Sequence, residues 1–350
     1  MELLPGIRAQ MVDTDRIRMH VLESGPDDGA PIVLVHGNLS TARFFERVMA
    51  GLPRTYRVIA PDMRGFGDSE HAPLDATRGL ADWADDVHAL LTALGVTAPP
   101  HLVGWSTGGA AIVDYAAEHP VASLTLLDPV SPYGYGGVHA DGTPVYDDCA
   151  GSGGGTANPE VVSRLAAGDD SADSPFSIRN VINAFYFAPG HREPQEREDL
   201  LVREVLKTMI GPGGYPGDSV PSPNWPGSAP GKTGVLNALS PKYCSWTRIV
   251  DLDPKPPVLW THGSADIVVA DGSPLEIGAI GASGAIDGWP GPEVFPPQPM
   301  VTQIREVLDR YAAAGGTVRT AIIEGAGHSP HIEKRDEWLS VFTDFLATIG

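Results

Sequence analysis

Short apolar runs alternate with amphipathic segments along most of this chain. Residues 16–23 switch between apolar and polar side chains with the two-residue period of a half-buried strand. Residues 31–36, PIVLVH, are apolar almost without interruption, as a strand covered on both faces requires. Apolar positions then recur at helical spacing over residues 42–52, a strand follows at 57–60, and an amphipathic helix runs from about 80 to 94. The run His101-Leu102-Val103 predicts a strand leading into a helix over 107–118, and SLTLL at 123–127 predicts another strand. PVLWT at 257–261, a helix over 301–313, a strand over 318–323 and a last helix over 337–348 complete the series. Uninterrupted apolar strands alternating with helices predict an α/β protein with a mostly parallel central sheet flanked by helices.

The alternation fails between residues 131 and 256. That stretch opens with glycine-rich loop sequence, carries helical candidates at 178–187 and 195–210, and is dense in Pro and Gly from 211 to 232. A structureless loop of that length does not fit a compact domain. The reading is a large, mainly helical cap over 131–256, inserted into a core made of residues 1–130 and 257–350. A second irregular segment, 272–299, carries Leu275, Ile277, Ile280, Ile286 and Trp289. It reads either as the interface of a homodimer or as a loop folded back over the core.

Charge narrows the partners. With 44 acidic against 24 basic residues in 350, the net charge of −20 disfavours nucleic acid and anionic membrane surfaces. Residues 1–12 lack the basic-then-apolar pattern of a secretory leader, and no apolar run reaches the length of a membrane span. The expected location is cytoplasmic, in keeping with two scattered cysteines, Cys149 and Cys244, that read as free thiols rather than a disulfide.

The candidate chemistry sits at the ends of predicted strands. Gly104-Trp105-Ser106-Thr107-Gly108 places a serine between two glycines where a buried strand turns into a helix. So sharp a turn strains the serine backbone, tolerates only glycine beside it, and presents the hydroxyl at a helix N-terminus. A serine hydroxyl needs a general base, and the base needs an acid to fix its tautomer. His328, on the Gly-rich loop after the last strand, is the expected base. Asp266, just past PVLWT in His262-Gly263-Ser264-Ala265-Asp266, is the expected acid; Asp128 at the end of SLTLLD is the rival, and Asp271 a more distant one. After PIVLVH come Gly37-Asn38-Leu39-Ser40, where the Asn38 amide and that of Thr107 can form an oxyanion hole, with His36 bracing the turn.

The order nucleophile, acid, histidine resembles the α/β-hydrolase superfamily, and so do five motifs. They are GWSTGG, the HGN that follows PIVLVH, PDMRGFGDS at 61–69, GSADIVV, and GAGHSPH. The resemblance covers residues 16–130 and 257–350. In that fold's strand order PIVLVH is the third strand, and the cap enters after the sixth. It implies a serine hydrolase acting through an acyl-enzyme without metal or organic cofactor, and an architectural role for the Asp62/Arg64 turn. A serine at 106 sets the chain apart from the haloalkane dehalogenase and epoxide hydrolase branches, which use aspartate.

The cap is rich in aromatic side chains, and clustered basic residues are absent from it. Leu39, Trp105, Tyr133, Phe185, Tyr186 and Trp225 are the candidate substrate contacts, and the expected substrate is a bulky, apolar, neutral ester or lactone. In cap size and aromatic content the chain is similar to bacterial lactonases that open aromatic macrolactones. Two alternatives stand beside this: C–C bond hydrolysis of a diketone or ring-fission product, and a ligand sensor of the same fold.

Overall fold

Eight strands join into a single sheet in the computed structural model, which describes residues 2–349. They are β1 (Ile7–Asp13), β2 (Arg18–Ser24), β3 (Ala30–Val35), β4 (Tyr56–Pro61), β5 (His101–Trp105), β6 (Ser123–Leu127), β7 (Val258–Gly263) and β8 (Val318–Ile323). Across the sheet the order is β1-β2-β4-β3-β5-β6-β7-β8. β1 runs antiparallel to β2 and β2 antiparallel to β4; every later pairing is parallel. The central strands read as apolar because both faces are covered: Val33, Leu34, Leu102, Val103, Leu124, Leu126 and Leu259 are fully buried.

Helices α1 (Glu46–Gly51), α2 (Ala81–Ala93), α3 (Thr107–Glu118), α6 (Met300–Ala313) and α7 (Arg335–Ala347) cover the two faces. β1 has no counterpart in the sequence reading. Its side chains, IRAQMVD, nearly all face water at the sheet edge, so no apolar alternation marks it.

Between β6 and β7 lies the insertion. It opens as irregular loop, and its helices lie in the middle: α4 (Pro159–Ala167), a short helix at Ile178–Val181 that widens into a π turn at Ile182–Tyr186, and α5 (Gln195–Val205). Its second half differs from the helical expectation. The Pro- and Gly-rich stretch pairs Ile210–Gly211 with Tyr215–Pro216, and Ser219–Pro221 with Ser228–Pro230, in two small ribbons.

Polar contacts seat the insertion on the core. Arg197 of α5 reaches Glu46 Oε2 at 3.0 Å and the Arg43 carbonyl at 2.6 Å, and Thr41 Oγ1 donates to Glu204 Oε2. Where the chain leaves β6, Ser131 Oγ donates to Gln303 Oε1 of α6 at 2.7 Å, all of it buried. Segment 272–299 folds back on the molecule through buried Ile277 and Phe295, while Leu275 and Val294 stay exposed. Cys149 and Cys244 are both buried free thiols. Among the described residues no helix is long and apolar enough to cross a membrane.

Candidate active site

The turn from β5 into α3 forces Ser106 to φ 55° and ψ −115°, a conformation that L side chains rarely adopt. Close contacts hold it there. The Ser106 N–H donates to the Leu127 carbonyl (2.9 Å) at the end of β6, and the Ser106 carbonyl accepts from Val130 N–H (3.1 Å). The flanking glycines are sterically required: a Cβ on Gly104 would collide with the Gly108 carbonyl, and one on Gly108 with the Val35 carbonyl. Thr107 opens α3, so its N–H is a first-turn amide without an intrahelical acceptor.

The turn after β3 lies against Ser106. A Cβ placed on Gly37 would sit 3.0 Å from Ser106 Cβ and 3.6 Å from Ser106 Oγ. Its carbonyls are held from behind: Gly37 O accepts from His36 Nδ1 (2.7 Å) and Ser40 Oγ (2.8 Å). A trans peptide points its N–H opposite to its C=O, so the Asn38 amide is turned away from those donors. Leu39 takes a left-handed φ of 47°, and the Tyr186 hydroxyl donates to the carbonyls of Asn38 (2.9 Å) and Leu39 (3.1 Å). Tyr186 belongs to the π turn of the insertion, so the insertion directly props the turn beside the serine.

His36 completes that brace by accepting the Met63 N–H on Nε2 (2.9 Å), which fixes it as the neutral Nδ1–H tautomer. Burial pushes its pKa down to about 4. The unfolded chain therefore binds a proton near pH 6.5 that the folded chain refuses until about pH 4. This contribution to stability is complete above pH 6.5 and is lost as pH falls toward 4, at a cost of about 3 kcal/mol. Urea unfolding midpoints should thus drop between pH 7 and pH 4.5 in wild type, and less steeply in His36→Gln. A wild-type midpoint that does not move over that range contradicts this protonation state.

His328 follows β8 on the loop Glu324–Gly327 and is buried. Its Nδ1 lies 2.8 Å from Asp266 Oδ2, while Asp266 Oδ1 accepts the N–H groups of Val268 (2.7 Å) and Val269 (3.2 Å). Burial opposes ionisation of Asp266, but His328 and these N–H donors outweigh it and hold the carboxyl below its ordinary range. An ionised Asp266 makes Nδ1 the protonated nitrogen of neutral His328 and leaves Nε2 as a base. Of the three candidate acids, the structure brings Asp266 to the histidine. Asp271 is exposed and bound to Thr302, and Asp128 clusters with His262 and Asp266 without a hydrogen bond to His328.

Three expected substrate contacts have other uses. Trp105 is 1 % exposed, and its indole N–H donates to the His328 carbonyl (2.7 Å), so it positions the histidine loop from beneath. Trp225 packs edge-on against Phe295 and donates to the Asp287 carbonyl, which ties it to segment 272–299. Tyr133 stacks its ring where a Gly142 Cβ would go and meets Arg310 of α6 through its hydroxyl. Leu39 and Tyr186 remain at the turn beside Ser106, and Phe185 is half-buried next to Tyr186 on the same π turn.

Glu333 escaped the sequence reading. Its carboxylate accepts Gly327 N–H (2.9 Å), one residue before His328, and Ala188 N–H (2.7 Å), two after Tyr186. It fastens the insertion to the histidine loop, and Gly327 has no Cβ because one would run into the Ala188 amide. Its only signal in sequence is an acid within SPHIE, otherwise free of acids, just after the histidine.

Among the described residues, two groups bring three metal-ligating atoms within 4.8 Å of one another: His20–Asp62–Asp68 and Asp128–His262–Asp266. In each group an acid is already engaged, although Asp128 Oδ2 and His262 Nδ1 of the second have no hydrogen-bond partner. Asp62 accepts from His20 Nδ1 and from the Ala42 and Asp68 N–H groups, and Asp266 is committed to His328. The Arg64 guanidinium pairs with Asp86 through two hydrogen bonds, so the Asp62/Arg64 turn is architectural.

Residues 30–148 match the family model described as the alpha/beta hydrolase fold. The chain is 37% identical over 108 residues to the magnesium-chelatase 30 kDa subunit of Rhodobacter capsulatus, covering 31% of this chain and 37% of that protein. It is also 37% identical over 113 residues to Lipase 1 of Psychrobacter immobilis, covering 32% and 35% respectively. The chain thus spans little more than a third of the length of these curated relatives. Over its whole length it superposes on an esterase from Rhodococcus sp. ECU1013 with a TM-score of 0.58, at 22% identity, covering 99% of this chain and 100% of that one. Sheet order, the strained serine turn and these matches define one class: the chain has the α/β-hydrolase fold.

Proposed function

We propose that this protein hydrolyses a carboxylic ester or lactone through an acyl-enzyme on Ser106. The observation that carries the reading is the His328 Nδ1–Asp266 pair at 2.8 Å, together with a serine held in a strained strand-to-helix turn whose preceding Trp105 binds the His328 carbonyl. His328 Nε2 removes the hydroxyl proton as Ser106 Oγ attacks the carbonyl carbon. The resulting oxyanion is received by the Asn38 and Thr107 amides, which develop their full interaction only as charge builds. His328 then protonates the leaving alkoxide, and water activated by the same nitrogen releases the acid. No step calls for a metal or an organic cofactor.

The substrate reading rests on what surrounds the serine. Leu39 and Tyr186 are buried at the turn beside the serine, and half-buried Phe185 adjoins Tyr186 on the π turn. Such a wall favours a bulky, apolar, neutral ester or lactone over an anionic one. A panel of p-nitrophenyl esters, an aromatic macrolactone and a ring-fission dienoate tests this. Multiple turnover is expected on neutral esters or the lactone. Turnover of the dienoate alone would replace ester chemistry by C–C hydrolysis, and a single slow turnover with retained ligand would make the protein a sensor.

Tyr186 gives a second prediction. Tyr186→Phe removes the hydroxyl that holds two carbonyls of the oxyanion turn while keeping the ring. Loss of one preorganised contact behind the hole should lower kcat about tenfold with KM little changed, against the 10²–10³ typical of losing a hole donor itself. A change confined to KM would make Tyr186 a substrate contact instead.

A further inference from the structure

One buried acid beside the site has no part in the mechanism so far. Asp128 ends β6 at a left-handed φ of 42°, a conformation that Asp and Asn tolerate best, and its side chain is wholly buried. Its backbone N–H donates to the Thr261 carbonyl (2.9 Å), and its Oδ1 accepts the Gly263 N–H (2.8 Å). Oδ2 has no donor facing it. What Asp128 faces is the carboxyl of Asp266, in a buried cluster with His262 whose ligand atoms all lie within 4.8 Å of one another. A hydrogen bond between two carboxyl groups requires that one of them carry a proton, and two buried carboxylates side by side cannot both ionise without a large penalty.

The surroundings decide which one keeps it. Asp266 receives His328 Nδ1–H and two backbone N–H groups, all of which favour its charged form. Asp128 receives a single backbone N–H. His262 lies 3.5 Å from Asp128 Oδ1 and 3.8 Å from Asp266 Oδ2, and burial disfavours its protonated form, so it does not neutralise either acid as a cation. The titratable groups facing the pair are His262 from β7, His328 from the loop after β8, and Glu333 beyond it.

We propose that Asp128 carries a proton on Oδ2 and donates it in a hydrogen bond to the Asp266 carboxylate, as a positioning residue behind the acid–histidine pair. Burial, then the neighbouring Asp266 charge, push the Asp128 carboxyl well above the ordinary aspartate range, in keeping with that arrangement. The proton keeps the paired acids at a single negative charge. It also pins Asp266 in the orientation that presents Oδ2 to His328.

The inference rests on the hydrolase reading for its kinetic arm only. Asp128→Asn reproduces the arrangement: its amide oxygen takes the Gly263 N–H, its NH2 donates to Asp266, and the left-handed backbone is tolerated. Asp128→Ala deletes the donor. Under the proposal, Asp128→Ala lowers kcat about tenfold, as loss of a hydrogen bond to a charged group does. Asp128→Asn restores kcat to within a few-fold and leaves the midpoint of the acid limb of the pH–rate profile where it is in wild type. If Asp128 were ionised, Asp128→Asn would remove a negative charge close to the imidazole and move that midpoint down by about one unit or more, which would overturn the proposal. Nuclear magnetic resonance titration of the His328 ring in the same three proteins gives the same comparison without any substrate. Failure of every ester to turn over would therefore strike the hydrolase reading, while a His328 titration displaced in Asp128→Asn would strike the protonated Asp128.

Discussion

Ser106→Ala is expected to lower kcat on any ester the protein turns over by about 10⁴-fold or more. The residual rate would come from the oxyanion donors and binding, which the substitution leaves in place. The fold should survive, because the backbone contacts at 106 run through its N–H and carbonyl, to Leu127 and Val130. A further consequence concerns stability. Ser106 stands at φ 55° in a region that glycine enters freely, so Ser106→Gly should be as inactive as Ser106→Ala yet more stable than wild type by about 1 kcal/mol. Parallel thermal melts and ester assays check both halves. Retained turnover in Ser106→Ala, or a Ser106→Gly protein less stable than Ser106→Ala, would contradict the strained-nucleophile reading.

Asp266→Asn should cost about 10³–10⁴ in kcat, although it changes one atom. The reason is directional. The 266 side-chain oxygen that accepts the Val268 and Val269 N–H groups stays where it is, so an asparagine there must turn its NH2 toward His328. Two donors then face each other at Nδ1, the imidazole moves its proton to Nε2, and that nitrogen can no longer accept the serine proton. kcat measured across pH separates this from a loss of charge alone: the defect persists on the plateau at every pH, whereas loss of the charge alone would move the acid limb to lower pH and leave a much smaller plateau defect. A drop of less than tenfold would mean that His328 does not depend on Asp266 for its tautomer.

The central sheet was legible because β3, β5, β6 and β7 are buried on both faces and leave continuous apolar runs in the sequence. β1 was not, since an edge strand with both faces wet carries no such signature. At the site, Ser106, Asp266 and His328 each follow a recognisable strand, and their positions could be read from the local pattern. The supporting contacts could not. Trp105 serves His328 across 223 residues of chain, Glu333 reaches Ala188 across 145, and Tyr186 reaches Asn38 across 148. Such contacts depend on how the insertion docks, and composition alone cannot tell an aromatic that lines a site from one that braces it. Trp225 and Tyr133 illustrate the ambiguity: both are insertion aromatics, and both are occupied by packing elsewhere.

The π turn ties the insertion to two parts of the candidate site at once. One stretch, Tyr186 to Ala188, is bonded to the turn after β3 through the tyrosine hydroxyl and to the loop carrying His328 through Glu333. Movement of the insertion would therefore disturb both halves of the site together.

Labelling with a fluorophosphonate, followed by intact mass and peptide mapping, tests the nucleophile most directly. A single phosphonyl adduct is expected on the peptide carrying Ser106, absent in Ser106→Ala, slowed in Asp266→Asn, and formed in step with loss of esterase activity. Ester turnover that continues without an adduct, or an adduct on another residue that abolishes it, would show that Ser106 is not the nucleophile.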